Sequence, residues 1–123
     1  MCITLRLSSS LIGLGSIIFA TQQRWADSLV LGSCAAVSQV FWWRAKRGGA
    51  LHAFDGLIAK AAITHFILKT KMSRTYAAVL CAVFASAIKS HESSRRKWLS
   101  RTHVAYHAGL HVSCFVASMF ALR

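Results

Sequence analysis

Charge in this sequence is confined to short clusters, and the stretches between them are apolar. Five apolar runs result, at residues 7–21, 27–43, 49–68, 75–88 and 102–122. This alternation constrains the fold more than any motif does. A transmembrane helix needs about 20 mostly apolar residues, within a range of roughly 17–25. The runs at 27–43, 49–68 and 102–122 are long enough. The run at 7–21 is short, and 75–88 has only 14 residues between Arg74 and Lys89. Flanking Lys and Arg side chains can snorkel and lengthen such spans. The pattern predicts an all-α transmembrane helical bundle of five helices in a single integral membrane domain over residues 1–123. If 75–88 is re-entrant, the bundle has four.

Composition agrees with that reading. The chain is 55% hydrophobic with mean hydropathy +0.48, yet carries 15 Lys+Arg against 3 Asp+Glu. A soluble nucleic-acid-binding protein would hold fewer apolar residues and spread its cations over a surface. The partner that this charge pattern implies is the lipid bilayer, not a nucleic acid. Trp42 and Trp43 stand directly before "RAKR", the pairing of aromatic and basic residues typical of a membrane–water interface. Arg6 and "LIGLGSIIFA" resemble the charge and core of a signal peptide, but no small-x-small cleavage pattern follows. The segment is expected to be retained as the first helix. Cys2, Cys34, Cys81 and Cys114 have no zinc or redox spacing and read as small apolar residues.

Loop charge gives an orientation. Arg6, Arg44, Lys46, Arg47, Lys89, Arg95, Arg96, Lys97 and Arg101 fall on one side. Arg24, Lys69, Lys71, Arg74 and Arg123 fall on the other. The positive-inside rule puts the N-terminus on the cytoplasmic, matrix or stromal side. The basic stretch "KSHESSRRKWLSR" reads first as an orientation signal, and second as a contact for anionic headgroups.

Helices in lipid associate by close backbone approach, which small residues permit. Ala105, Gly109, Ser113, Ala117 and Ala121 recur every fourth residue in the last segment; Ser28, Gly32 and Ala36 do so in the second. These positions are the predicted helix-packing faces. His107 and His111 lie about 200° from Gly109 on a helical wheel, so the last helix presents two faces that want protein neighbours. It is therefore expected to be central. No phosphate loop, dinucleotide fingerprint or evident nucleophile is present, so nothing in the motifs marks an enzyme. The function this supports is a subunit or scaffold of a membrane assembly, with protein partners or further copies of the chain alongside.

Ionisable groups inside the apolar runs ask for partners. His52, Asp55, Lys60 and His65 lie in the third run, and His103, His107 and His111 stand one turn apart in the fifth. In the structural reading, Asp55 pairs with Lys60 or a histidine. The fifth-run histidines then bond serine or backbone, with the headgroups as the other destination for His103 and His107. In a metal reading, His107 and His111 share one zinc with His52 as third ligand. Asp55 then orients a ligand or acts as the general base of catalysis.

Ser38, Asp55, His107 and His111 also carry a resemblance. Their order is similar to that in the superfamily joining alkaline ceramidases with the progestin and adiponectin receptors. Its members share Ser-x3-His, an aspartate on the next helix, and His-x3-His on the last. Trp42 stands at the family's first histidine, and His52 takes its place in the ligand set. The resemblance implies a zinc-dependent intramembrane hydrolase of a lipid amide, or a related receptor. A third reading places one b-type haem between His65 and His107, in a membrane anchor.

Overall fold

The computed structural model describes residues 2–123 and is all-α. Its five α-helices are α1 (Ile3–Thr21), α2 (Trp25–Arg44), α3 (Ala50–Lys69), α4 (Arg74–Arg96) and α5 (Arg101–Met119), and a 3-10 turn (Phe120–Leu122) closes the chain. No strand occurs among the described residues. Three helices, α1, α3 and α5 with its closing turn, are long and apolar enough to cross a membrane.

Two boundaries differ from the sequence expectation. Helix α1 starts at Ile3 and takes in Arg6, because nothing in "ITLRL" breaks a helix. Helix α4 runs on past Ile88 through the basic stretch to Arg96, so only residues 97–100 form the last loop. Ser90 and Ser94 are one turn apart and both buried, which gives this polar extension an inner face. Side-chain caps start the last two helices. The Ser73 hydroxyl accepts from the Tyr76 amide, and the Ser100 hydroxyl accepts from the His103 amide, both at 3.1 Å. Ala45, in the left-handed region, ends α2.

Helix α1 packs along α2 and against α5; α4 packs along α5; α3 packs on α2 and touches α5. Thus α5 contacts all four other helices, reaching α2 through Trp42 against His103 and His107. One end of the bundle gathers the N-terminus and two loops. The Cys2 amide donates to the Trp42 carbonyl (3.1 Å), and Trp98 Nε1 donates to the Ala45 carbonyl (2.8 Å). Leu5, Phe41, Trp42 and Ala45 form the core there, with Trp98 and Val104 against them. The other end gathers Arg24, Asp27, Lys69 and the C-terminal turn, where the Arg24 guanidinium donates to the Ala121 carbonyl. Between the ends, Gln39 of α2 donates to the Arg6 carbonyl (2.7 Å) and to Ser9 Oγ (2.9 Å) of α1.

The small-residue faces are used unevenly. Gly32 faces Ser16, whose Oγ lies 3.0 Å from where a Cβ on residue 32 would stand, while Ala36 is exposed. On α5, Ala117 and Ala121 are buried and Ser113 is half-buried, but Ala105 and Gly109 are exposed. The first half of α5 instead turns its histidine side inward, with His103 and His111 buried. Helices α1 and α4 reach His111 and His107, respectively, through serine hydroxyls. His103 is buried and bonds backbone: its Nδ1 accepts from the Leu99 amide at 3.1 Å.

Candidate functional site

Helices α3 and α4 do not pack against each other along their length. Their side chains meet near the connecting turn, where Ile63 and Ile67 join the cluster of Tyr76, Leu80, Val83 and Ala117. The resulting gap is a cavity of about 230 Å³ between α3 and α4, floored by α2 and α5. Most of its wall is apolar. Its polar lining includes Ser38, Asp55, His107 and His111, which are the four residues of the family resemblance. A smaller cavity of about 150 Å³ lies beside it towards the Trp98 loop, and the two share Asp55 and His107 as walls.

Both histidines are fixed by a serine on a neighbouring helix. His111 Nδ1 lies 2.7 Å from Ser8 Oγ of α1, and His107 Nδ1 lies 2.8 Å from Ser90 Oγ of α4. The Ser8 hydroxyl also donates to the Leu5 carbonyl at 3.1 Å. A hydroxyl carries one proton, so Ser8 can donate to only one of these two acceptors, and the His111 tautomer decides which. Neither Nε2 has a hydrogen-bond partner among the described residues.

The other two polar groups are also unengaged. Ser38 is 3% exposed and its Oγ has no partner. Asp55 is 9% exposed and makes neither a hydrogen bond nor an ion pair among the described residues. Native interiors seldom leave such groups unsatisfied, so each asks for a ligand, an ion or water. The expected pairing of Asp55 with Lys60 or a histidine is not formed. Residues five apart on a helix are separated by about 140°, too far round for the two side chains to meet. His52, three residues before Asp55, is turned away: its Nδ1 accepts from the Gly48 amide at 3.2 Å, and its ring stacks on Phe41 at 5.2 Å.

His65 lies outside this group. Its Nε2 is 2.7 Å from Asp27 Oδ1, at the opposite end of the bundle from Trp98. His65 and His107 line no common cavity, so the proposed haem pair is not brought together. His52 lines only the smaller cavity, and Phe41 and Trp42 pack against His52 and His107. Among the described residues, no three His, Cys, Asp or Glu side chains stand close enough to hold one metal ion. The set His52, His107 and His111 therefore does not form a three-ligand centre here.

Sequence reasoning missed Asp27. It opens the second apolar run, yet it is 1% exposed and accepts from Arg24 Nε, His65 Nε2 and Lys69 Nζ at 2.7–2.8 Å. Arg24 three residues earlier was the available signal. Ser8 and Ser90 were missed as well, and no spacing in the sequence points to them.

No family model matches this chain, and neither does any curated protein or solved structure.

Proposed function

We propose that this chain is a small multi-pass integral membrane protein, a subunit or scaffold whose bundle holds the polar end of a membrane amphiphile. Large apolar side chains on the outer surface support the membrane setting: Leu7, Ile17, Leu29, Leu57 and Leu68 are all exposed. Lipid accepts such side chains, whereas water does not accept them in extended patches. Successive loops lie at alternate ends of the bundle, as successive crossings require. The nine-against-five division of cations favours the Trp98 end as the cytoplasmic, matrix or stromal one.

The observation that carries the binding role is the cavity. Ser38, Asp55, His107 and His111, with Lys60 and Tyr76, bring unengaged polar atoms to walls that are otherwise mostly apolar, and the gap between α3 and α4 faces the surrounding medium. An apolar pocket with a few convergent polar groups is the usual form of a ligand site. The test is purification in mild nonionic detergent followed by mass spectrometry of extracted lipid. A tightly held amphiphile, lost on Ser38→Leu, supports the role. Protein that is fully delipidated by a single detergent wash and keeps its stability argues against it.

A second reading is the zinc-dependent lipid hydrolase implied by the resemblance. What favours it is the serine anchoring of both Nδ1 atoms, which leaves both Nε2 atoms free at one cavity wall, as outer-shell hydrogen bonds do for metal-bound histidines. Two nitrogens do not make the centre, and no third ligand joins them, so no reaction step follows from the arrangement. Elemental analysis decides: zinc near one per chain, lost in both His107→Gln and His111→Gln, would favour the hydrolase.

A further inference from the structure

The larger cavity has an acid and a base on the same helix in its wall, each without a partner among the described residues. Asp55 is buried in its wall without a partner. Lys60 lines the same cavity, is exposed, and its ammonium group makes no hydrogen bond or ion pair among the described residues. Asp27 is taken by Arg24, His65 and Lys69, and Glu92 pairs with Lys89 at 3.3 Å. The chain therefore has no further acid to offer Lys60.

Order along α3 narrows the counter-charge. From the Gly49 end come first the ring-lined smaller cavity, with Phe41, Trp42, His52 and Trp98, then Asp55, then Lys60. Ala62, Ile63 and Phe66 complete the wall towards the α3–α4 turn. Asp55 and Lys60 differ by about 7.5 Å along the helix axis. A lysine side chain leans towards its helix N-terminus, which shortens that gap.

We propose that this cavity takes a zwitterionic phospholipid, with its ammonium group at Asp55, its phosphate at Lys60 and its chains against the apolar wall. The inference rests on the membrane and amphiphile reading given above. An ammonium at Asp55 has a carboxylate beside it and aromatic faces in the adjoining cavity. A phosphate at Lys60 neutralises a cation set in the middle of an apolar helix. An anionic headgroup alone would leave Asp55 without a cation, and a cationic amphiphile alone would leave Lys60 without an anion. Entry is lateral, through the gap between α3 and α4.

Three probes with one chain length separate these cases: dodecylphosphocholine, dodecyltrimethylammonium and dodecyl phosphate. Each is titrated below its micellar range into the full-length protein in nonionic detergent, and adducts are counted by native mass spectrometry. Wild-type protein is expected to bind one dodecylphosphocholine saturably, on the order of tenfold tighter than either singly charged probe, the ratio that one charge-assisted contact supplies. Asp55→Asn should erase the advantage over dodecyl phosphate, and Lys60→Met the advantage over dodecyltrimethylammonium. Lys60 is exposed, so its variant tests the charge order even if Asp55→Asn folds badly. Equal binding of the three probes, a preference for a singly charged one, or preferences that survive both substitutions would overturn the zwitterion assignment and leave the amphiphile pocket standing. Binding of no probe would overturn both.

Discussion

Asp27→Asn is the substitution from which the largest loss of stability is expected. The Asp27 carboxylate receives Arg24 through both Nε and Nη2 at 2.8 Å, His65 Nε2 at 2.7 Å and Lys69 Nζ at 2.8 Å. It ties the start of α2 to the end of α3, and Arg24 in turn holds the C-terminal turn. Asparagine keeps one acceptor oxygen but turns an NH2 group towards the cations. Removing one member of a buried charge pair costs about 3–5 kcal/mol. Asp27 is 1% exposed, but the Arg24, His65 and Lys69 side chains are 30%, 27% and 42% exposed, so solvent recovers part of the loss. The lower end, about 3 kcal/mol, is the appropriate figure. For a chain of this size that is a fall in melting temperature of about 10 °C. The assay is thermal unfolding in mild detergent with a thiol-reactive dye that reports Cys34 and Cys114 as they become accessible, after Cys2 and Cys81 are replaced by serine. Lys69→Met should cost less than a third as much, because Asp27 keeps two donors and Lys69 is the most exposed of the three. An Asp27→Asn protein melting within about 2 °C of wild type would refute the reasoning, since that shift is under 1 kcal/mol.

Gly32→Ala should destabilise the protein by about 1–2 kcal/mol, because its Cβ meets Ser16 Oγ at 3.0 Å and disturbs the bond of that hydroxyl to the Ser28 carbonyl. Gly109→Ala should be neutral or slightly stabilising in the same melt, since the nearest atom, Ser86 Oγ, lies 3.8 Å from the new Cβ. Ser8→Ala should lower stability by about 1 kcal/mol and free the His111 ring, to be read as a changed His111 imidazole NMR signal, with a smaller change at His107, whose ring lies 4.9 Å away. Trp98→Phe, which removes the bond from Nε1 to the Ala45 carbonyl, should raise trypsin cleavage after Lys97; unchanged cleavage would mean that the loop is held by ring packing alone. An alkaline carbonate wash should leave the chain in the membrane pellet, and its release would remove the basis of the membrane reading.

The five helices were legible because their limits are set by charge. Clusters at 44–47 and 69–74 stop apolar runs, and a helix cannot carry a new apolar face across them without a turn. The last cluster misled for the converse reason. Ser90 and Ser94 can be buried against α5, so α4 continues through residues that read as a loop. Residues 55, 107 and 111 were picked out as ionisable groups in apolar runs, whereas residue 38 was picked out only through the family resemblance. Their meeting at one cavity was not legible. It depends on how α3 splays from α4 while α2 and α5 close the floor, and no local pattern encodes a crossing between helices.

The same division holds for each charge. The sequence by itself placed Asp55 and Lys60 on one helix, but the pairing expected between them fails because five residues turn an α-helix through about 140°. It also determined that most cations sit at one end of the bundle. Only the tertiary structure decided that Asp27, at the edge of its apolar run, is the buried and triply bonded acid, while Asp55, in the middle of its own, is left without a partner. The reason is distance through space. His65 and Lys69 come within 2.7–2.8 Å of Asp27 only because α2 and α3 run antiparallel in this register, and a slip of one turn, about 5.4 Å, would separate them.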